Sequence, residues 1–200
     1  MPLPSWVSPD ETKPAPMPLL LVQAFVNTWD ADHASDLLLE PGIARDWLAA
    51  AGLWADAEPP GPAELQLARA VREAIRALIG ANDGGVTGGA ESLRPLQDLA
   101  DACPVRIEVG PDGTVGIVAE EPRPSGAAGA GGRLGARLIR LLLVIRDAQQ
   151  DGTWARLKTC HNSDCRWAFY DRSHSRAGAW CDMTICGNRI KNRRLRERQR

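Results

Sequence analysis

The chain has 200 residues, of which 44% are hydrophobic and 24% are charged, a composition typical of a folded globular protein and not of a disordered chain. Its longest apolar runs, such as 18–22 and 141–145, are far shorter than the roughly 20 residues that a membrane span requires. The first residues lack the basic start and apolar core of a secretory signal, so the sequence predicts a cytoplasmic protein that does not enter a membrane.

The net charge of −1 conceals a strong asymmetry along the chain. Residues 1–150 hold 12 basic and 20 acidic side chains, whereas residues 151–200 hold 12 basic and 5 acidic ones. An acidic body with a basic end is typical of a module for a polyanion joined to a module with another role, although chance segregation of surface charge gives the same pattern.

The first fifty residues predict an extended segment followed by short buried elements. Residues 1–18 contain six prolines and predict an extended lead-in, with Trp6 packed on the body. The apolar stretch 19–28 is either a strand or a buried turn of helix, because periodicity does not decide a run this short. A short helix is predicted for 43–51. Its inner face is formed by three apolar side chains: Ile43, Trp47 and Leu48.

Longer helices are predicted in the middle of the chain. Residues 62–79 carry apolar side chains at intervals of three and four, with a proline near the start and a glycine after the end. A glycine-rich loop is predicted for 82–90 and another helix for 91–103. The inward side chains of the second helix are Leu96, Leu99 and Cys103.

The alternation in 105–109 and 114–119, separated by a Gly-Pro-Asp-Gly turn, predicts a β-hairpin. Residues 120–132 predict a flexible connection, and 134–148 return to a helix. The inward side chains of this helix are Leu138, Leu141, Leu142 and Ile145. The predicted division of the chain is a lead-in at 1–18, an α+β domain at 19–150 and a small C-terminal module at 151–200.

Four of the five cysteines lie close together in the C-terminal module and form two pairs of identical spacing. They are Cys160, Cys165, Cys181 and Cys186. Zn²⁺ favours four soft ligands in a tetrahedron, and each Cys-x4-Cys turn can supply two thiolates. In a cytoplasmic chain such pairs favour a metal over disulfides. Because four cysteines leave no position for water, the sequence predicts one structural Zn²⁺.

Histidines offer an alternative ligand set. His161 directly follows the first cysteine and His174 lies in the connecting loop, so either could replace one thiolate. Because the paired cysteines already fill the tetrahedron, we expect both histidines to be exposed or to lie behind the ligands. His33, which lies among acidic residues, is predicted to be a surface residue.

The surroundings of the cysteines predict a ribbon followed by a helix. Residues 156–159 and 166–171 predict two short strands, and a helix is predicted from Asn188. So small a module has little core, and metal binding should supply most of its folding free energy, on the order of 10 kcal/mol. The aromatic side chains predicted beside the metal are Trp167, Phe169 and Trp180. The cations expected to offset the charge of four thiolates are Lys158, Arg166 and Arg189.

The stretch from Cys160 to Lys191 resembles the CGNR zinc finger of bacteria, which is named for the string Cys186-Gly187-Asn188-Arg189. In that family the finger follows an ABATE domain, which is described as a stress-induced transcription regulator. The string Phe25-Val26-Asn27-Thr28, the stretch that begins at Asp36, and Trp47-Leu48 resemble that domain more loosely. The resemblance implies zinc bound by the four cysteines and DNA binding by a transcriptional regulator.

The finger departs from the family pattern in one loop. Gly178 and Ala179 stand where members of the family usually have two basic residues, and Asp182 stands where a small neutral residue is common. If that loop touches phosphate in the family, this chain has lost two charges there and gained an opposing one. Together with the element pattern, the resemblance predicts an α+β fold: a mostly helical N-terminal domain with a small antiparallel sheet, followed by a treble-clef-like zinc finger made of a knuckle, a β-hairpin and a helix.

The end of the chain is strongly basic. From Gly187 onward there are seven basic residues and one acidic residue, and a helix with so few apolar side chains has no face to bury within its own chain. Such a helix is either a solvated tail or a surface for phosphates, and Arg also suits guanine edges. The candidate nucleic-acid-binding residues are Arg189, Lys191, Arg193, Arg194, Arg196 and Arg198.

Two classes of function are consistent with this pattern. The first is a zinc-dependent DNA-binding transcriptional regulator whose N-terminal domain senses a small-molecule or protein effector; a homodimer would suit it, because one small finger buries little DNA surface. The second is a protein–protein interaction module in which the zinc site is purely structural and the basic tail docks an acidic partner or RNA. No catalytic residues are predicted and the protein is not expected to be an enzyme, because thiolates close the metal shell and no nucleophile–base set or phosphate-binding fingerprint is present.

Overall fold

The computed structural model describes residues 2–84, 89–119 and 132–198, and every structural statement below refers to these ranges. Part of the predicted glycine-rich loop (85–88), nearly all of the predicted connection (120–131) and Arg200 lie outside them. Within the ranges the chain forms the predicted α+β fold, in which helices predominate and the strands form two-stranded antiparallel sheets.

Six helices and six strands occur in the described part of the chain. The helices are α1 (Leu19–Val26), α2 (Pro41–Ala50), α3 (Pro62–Gly80), α4 (Gly89–Ala102), α5 (Gly132–Gln150) and α6 (Asn188–Arg198). The strands, paired in order, are β1 (Trp29–Asp30) with β2 (Ser35–Asp36), β3 (Val105–Val109) with β4 (Val115–Ala119), and β5 (Leu157–Thr159) with β6 (Ala168–Tyr170). Short 3-10 turns occupy Ala81–Asp83 and Trp154–Arg156, and a π-helical turn at Met183–Gly187 leads into α6.

Helix α1 lies at the centre of the core, because all eight of its residues are buried. It packs against α3 and α5, and β6 lies beside it. A helix that is apolar on nearly every face needs protein on every side. The structure therefore decides between strand and helix for the stretch 19–28 in favour of the helix.

Helix α2 is present, but its inner face differs from the prediction. Ala44 and Leu48 are buried, whereas Ile43 is 52% exposed, so the placement of Ile43 inside was wrong. The buried stripe runs through Ala44, Leu48 and Ala51 at helical spacing, which turns Ile43 away from the core. Trp47 lies at the edge of the stripe, where its indole nitrogen donates to the carbonyl of Trp6 at 2.8 Å.

The predicted helices in the middle of the chain are confirmed as α3, α4 and α5. Leu99 and Cys103 are buried as predicted, and Leu96 packs partly against the core. Gly135 lies where α5 passes close to α4, since a Cβ there would be 3.3 Å from the sulfur of Cys103. In α5 the side chains of Leu138, Leu141 and Ile145 are buried, and Leu142 is partly buried.

The predicted hairpin is confirmed as β3 and β4, with Ile107 opposite Ile117. Most of its apolar side chains are nevertheless exposed, and Ile107 reaches 71%, whereas Val118 and Ala119 at the end of β4 are partly buried. Because strand residues two apart share a face, Val105, Ile107 and Val109 form one exposed apolar stripe.

No helix in the described part of the chain is long and apolar enough to cross a membrane.

Candidate metal centre

The four cysteines of the C-terminal module converge on one point. Their sulfur atoms all lie within 4.8 Å of one another, and each cysteine is a free thiol. Cys160, Cys165 and Cys186 are buried, and Cys181 is partly buried. The structure thus brings together the predicted ligand set, whereas Cys103 lies apart from it in the helical core.

The first cysteine pair lies on a tight turn between β5 and β6. The carbonyl of Asn162 accepts hydrogen bonds from the backbone N–H groups of Cys165 and Arg166, and Arg166 adopts a positive φ of 56°. The N–H of Cys160 donates to the carbonyl of Trp167 across the ribbon. These bonds turn both sulfurs of the pair to the same side.

The second cysteine pair lies on the turn that enters α6. The carboxylate of Asp182 accepts from the N–H groups of Thr184 and Ile185 at 2.6 and 3.0 Å, and its carbonyl accepts from Cys186. Asp182 is therefore the N-cap of the helical turn that carries Cys186, a role in which a carboxylate stabilises a helix. The sequence interpretation of Asp182 as a charge that opposes phosphate missed this local role.

The sulfur positions fit a tetrahedral ion such as Zn²⁺. Sulfurs about 2.3 Å from a central ion in a tetrahedron lie about 3.8 Å from one another. The observed separations are 3.6 Å between Cys165 and Cys181 and 3.7 Å between Cys181 and Cys186. The four cysteines are thus preorganised to hold such an ion with no further ligand, and a bound ion would hold the two turns together.

Crowding of the sulfurs changes their ionisation. Hydrogen bonds from Cys165 and Cys181 lower the pKa of Cys160 to about 2, because they stabilise its thiolate. The hydrogen bond to Cys160 raises the pKa of Cys165 to about 12, and hydrogen bonds to Cys160 and Cys165 raise the pKa of Cys181 further. Cys160 is thus favoured as a thiolate, whereas ionisation of the neighbouring cysteines is opposed. A divalent cation bound between the sulfurs would stabilise all of the thiolates.

Asn162 is a member of the site that the sequence interpretation missed. It is only 1% exposed, and its amide nitrogen lies 3.7 Å from the sulfur of Cys186 and donates to it. Hydrogen bonds of this kind tune and orient a thiolate ligand. The position of Asn162 between the first two cysteines was the available signal, since Asn is favoured in tight turns.

The cations expected to offset the thiolates are distributed differently from the prediction. Arg189 lies near the cluster, and its pKa is raised first by its hydrogen bond to Asp32 and further by the negative field of Cys186 and Cys165. Lys158 is instead held elsewhere, with Asp83 at 3.0 Å and Asp171 at 3.4 Å from its Nζ. Arg166 likewise has a carboxylate partner elsewhere, with Glu73 at 3.8 Å from its guanidinium.

The predicted aromatic cluster is confirmed for two of its three members. Trp167 and Trp180 pack against the cysteines. Phe169 is buried, but its ring lies beneath the ammonium of Lys13 at 4.8 Å and outside the cysteine cluster.

The histidines lie outside the sulfur cluster. His161 is exposed, stacks edge-on against Trp180 and bonds to Asp83. His174 is exposed in the connecting loop. His33 is exposed as predicted, and its ring nitrogen lies 2.7 Å from Asp30.

Gly178 has a structural reason within this chain. Its N–H donates to Asp171 at 2.7 Å, and a Cβ at this position would lie 2.8 Å from the same carboxylate. Asp171 in turn pairs with Lys158, which is 2% exposed and donates to the carbonyl of Arg176. A basic side chain at position 178 would have to displace this buried pair.

The finger is joined to the helical body by buried hydrogen bonds. Asn27, which directly follows α1, bonds to both the N–H and the carbonyl of Ala168 in β6, and Gln23 of α1 donates to the same carbonyl. Arg76 of α3, which is 1% exposed, donates to the carbonyl of Arg166 at 2.8 Å. Buried amides with paired partners fix one arrangement, because leaving any of them unpaired is costly.

The segment before α1 also contacts the finger. The N–H of Tyr170 donates to the carbonyl of Lys13, and the ammonium of Lys13 donates to the carbonyl of Trp180. Glu11 accepts from the indole of Trp167 at 3.1 Å. The lead-in thus lies along β6 on the side away from β5.

The basic helix α6 is exposed along most of its described length. Two of its candidate nucleic-acid-binding residues are paired within the chain: Arg189 with Asp32 at 2.5 Å and Arg193 with Asp164 at 2.6 Å. Lys191, Arg196 and Arg198 are exposed and form no ion pair with another described residue, whereas the side chain of Arg194 is not described.

A helical body joined to a four-cysteine module of ribbon and helix defines a two-part zinc-finger protein. Comparison with protein families matches residues 20–148 to the ABATE family, described as "Putative stress-induced transcription regulator", and residues 156–199 to the CGNR zinc finger. The chain therefore belongs to the ABATE family and carries a CGNR zinc finger after that domain, as the sequence strings predicted. A search of curated proteins found no match.

Proposed function

We propose that the protein is a transcriptional regulator in which one structural Zn²⁺ held by the four cysteines seats the basic helix α6 against DNA. Membership of the ABATE family and the sulfur geometry support the coarse assignment of a zinc-binding regulator. The cysteines leave no coordination position for water or substrate, which favours a structural ion over a catalytic one.

One observation carries the proposal: Cys186, a candidate metal ligand, lies in the turn that leads directly into α6. A metal bound there fixes the start of a helix whose exposed side chains are mostly basic. Because the rest of the chain is acidic, this helix is the part of the molecule that a polyanion would meet with least repulsion.

The ion pairs of Arg189 and Arg193 refine the proposal. Both arginines already have carboxylate partners, so a phosphate would have to compete with Asp32 and Asp164. Lys191, Arg196 and Arg198 are free of such competition among the described residues and are the first candidates for phosphate contact. About three to five contacts would give a log–log salt slope of roughly −3 to −5 on duplex DNA.

The test is binding of the full-length, zinc-loaded chain to a fluorescent library of genomic duplex fragments over a range of salt. The variant Arg196→Glu with Arg198→Glu should weaken binding by at least about tenfold. The matched control reverses two exposed arginines of the body, Arg94→Glu with Arg106→Glu, and should bind like the wild type.

Absence of salt-dependent binding to any duplex, or an equal loss in the control variant, would overturn the proposal. Tighter binding to single-stranded RNA than to any duplex would favour the alternative of a docking module. In that case an acidic protein partner or RNA would be the target of the same helix.

A further inference from the structure

An acidic cleft lies where the lead-in, the β1–β2 hairpin and the zinc finger meet. It consists of two adjoining cavities of about 290 and 410 Å³. Both are lined by Asp10, Asp30, His33 and Trp167. The smaller cavity is at the low end of the range for small-molecule sites, which suits a compact ligand.

Three tryptophans line the smaller cavity: Trp6, Trp47 and Trp167. The indole nitrogen of Trp47 donates to the carbonyl of Trp6, and that of Trp167 donates to Glu11. These bonds hold two of the rings in place by their nitrogen edges. Tryptophan faces are the preferred partners of organic cations.

Negative charge surrounds the tryptophans. Asp10, Glu11 and Asp30 line the smaller cavity, and Asp32 and Asp182 line the larger one. Among the described residues that line either cavity, none is Lys or Arg. Two of these carboxylates are already paired: His33 pairs with Asp30, which raises the pKa of the histidine, and Arg189 pairs with Asp32. Asp10 and Glu11 form no ion pair with another described residue.

Among these carboxylates, Glu11 most strongly favours a bound cation. Burial raises its pKa, although hydrogen bonds from the backbone of Lys13 and from the side chain of Trp167 act in the opposite direction. Within the described ranges it forms no ion pair. Glu11 is partly buried, and a carboxylate in such a place without a cationic partner would be stabilised by a bound cation.

We propose that this cleft binds a small organic cation, an ammonium or trimethylammonium group on a compact apolar body. The tryptophan rings and the carboxylates of Asp10, Glu11 and Asp30 receive the charge, while Val7, Leu20 and Leu37 line the same cavity and receive the apolar part. As the effector class for the regulator, this inference rests on the proposed function; as a binding site, it stands by itself.

An organic cation suits the cleft better than a metal ion. Ligand atoms of Asp10, Asp30 and His33 lie within 4.8 Å of one another. However, His33 Nδ1 and Asp30 Oδ2 already form a hydrogen bond of 2.7 Å, so a metal would have to break it to use both atoms. The tryptophans would also contribute nothing to a metal, whereas they are the best available surface for an alkylammonium group.

The cleft also reaches the metal centre. Cys165, Cys181 and Cys186 line the larger cavity, and Trp167 lies two residues after Cys165. A ligand in the cleft would therefore touch the helical body and the finger at once. Its binding energy would favour the arrangement in which the two are docked, as linkage requires.

The test uses isothermal titration calorimetry of the full-length, zinc-loaded chain with three cations: choline, benzyltrimethylammonium and methylammonium. The neutral probe is 3,3-dimethylbutanol, which matches choline in shape and lacks its charge. At least one cation should bind, and choline should bind at least about fivefold more tightly than the neutral probe.

Two variants locate the site. Asp10→Asn removes an exposed lining carboxylate and should weaken binding of the cation about fivefold, while Asp98→Asn, an equal charge change on α4, should leave it unchanged. Trp6→Leu keeps an apolar lining and should weaken choline more than the neutral probe. Circular dichroism and bound zinc of each variant check that the fold is retained.

Failure of all three cations to bind at up to about 10 mM would overturn the inference. Equal affinity for choline and the neutral probe, equal effects of the two aspartate variants, or displacement of the cation by stoichiometric Mn²⁺ at Asp10, Asp30 and His33 would do the same. DNA binding is measured separately. Cation binding without DNA binding would therefore contradict the proposed function but support the binding site.

Discussion

The carboxamide of Asn27 pairs with both backbone groups of Ala168: its oxygen accepts from the N–H at 2.8 Å and its nitrogen donates to the carbonyl at 2.8 Å. One side chain, at the C-cap of α1, therefore provides the hydrogen bonds that a neighbouring strand would provide to β6. Both residues are buried, so water does not compete for these hydrogen bonds. The helical body and the finger are joined at this point.

Replacing Asn27 with Leu should destabilise the whole chain. It leaves the buried N–H of Ala168 without its partner and leaves the carbonyl with Gln23 as its remaining donor, so we expect a loss of about 2 to 4 kcal/mol in the free energy of unfolding. Urea unfolding near neutral pH measures this. The control Asn192→Leu changes an exposed residue of α6 and should alter stability by less than about 0.5 kcal/mol. A small effect at Asn27 would show that the junction does not contribute to stability.

The cysteine cluster should bind one Zn²⁺ per chain. Cys181→Ser should lower zinc affinity by at least about a hundredfold, because a serine hydroxyl is a poor substitute for a thiolate. Cys103→Ala removes a buried thiol outside the cluster and should retain one zinc. Elemental analysis of reduced protein after dialysis measures the zinc retained by each variant. Full zinc content in Cys181→Ser would contradict the assignment of that ligand.

The acidic partners of α6 should restrain its binding to DNA. Asp32→Asn with Asp164→Asn releases Arg189 and Arg193, and we expect about a threefold to tenfold gain in affinity and a steeper salt dependence. Fluorescence anisotropy on one duplex at several salt concentrations measures the gain. Asp98→Asn with Asp101→Asn, two exposed carboxylates of α4, makes the same charge change and serves as the control. If both double variants gain affinity for DNA equally, the change in net charge explains the effect and the loss of the ion pairs does not.

The ion pair of Asp36 and Arg72 should make stability depend on pH below about 4. Burial acts to raise the pKa of Asp36, but hydrogen bonds from Arg72 and from the backbone of Leu38 lower it below its ordinary value of 3.8. A carboxylate whose pKa is lowered by folding stabilises the protein above its unfolded-state pKa, and this contribution is lost as pH falls through the folded-state value.

The variant Asp36→Asn tests this dependence. It leaves Arg72, a buried guanidinium, with Glu73 as its carboxylate partner, and should cost about 2 kcal/mol near neutral pH. The difference from the wild type should shrink as the pH falls below 3.8. Urea titrations from neutral to acidic pH measure it. A difference that stays constant throughout would mean that ionisation of Asp36 is not the cause.

The exposed hairpin should tolerate substitutions that the core does not. Leu99 is 1% exposed, and Leu99→Ala should cost about 2 to 4 kcal/mol. Ile107 lies on the exposed stripe, and Ile107→Ala should cost less than about 1 kcal/mol. Thermal unfolding of the two variants side by side measures the contrast. Similar losses would place Ile107 in a packed environment.

The sequence predicts the local parts of this molecule well. Helices α3, α4 and α5 follow from apolar residues at helical spacing, and the cysteine cluster follows from two pairs of equal spacing. These patterns are decided within a short stretch of chain, where periodicity and turn length are sufficient. Even so, Ile43 was wrongly placed on the inner face of α2, because nothing local indicates that the smaller Ala44 is the buried one of the two neighbours.

The relationships between distant parts could not be obtained in this way. Asn27, Arg76 and Asp32 each have a partner in the C-terminal module that lies 90 or more residues away along the chain, and their side chains look ordinary in sequence. Asn162 and Asp182 could have been recognised as turn and cap residues, but their roles at the metal centre depend on where the second turn lies. Buried polar residues acquire meaning only from their partners.

The hydrogen bond from Tyr170 to Lys13 has a practical consequence. A strand near the far end of the chain is bordered by backbone from its opening residues, so the two ends are assembled together. An excised fragment covering 151–200 would lose that border as well as the amides of Gln23 and Asn27, leaving β6 open along one edge. We therefore expect the CGNR finger of this protein to be less stable when it is transplanted alone into a chimaera than within its own chain.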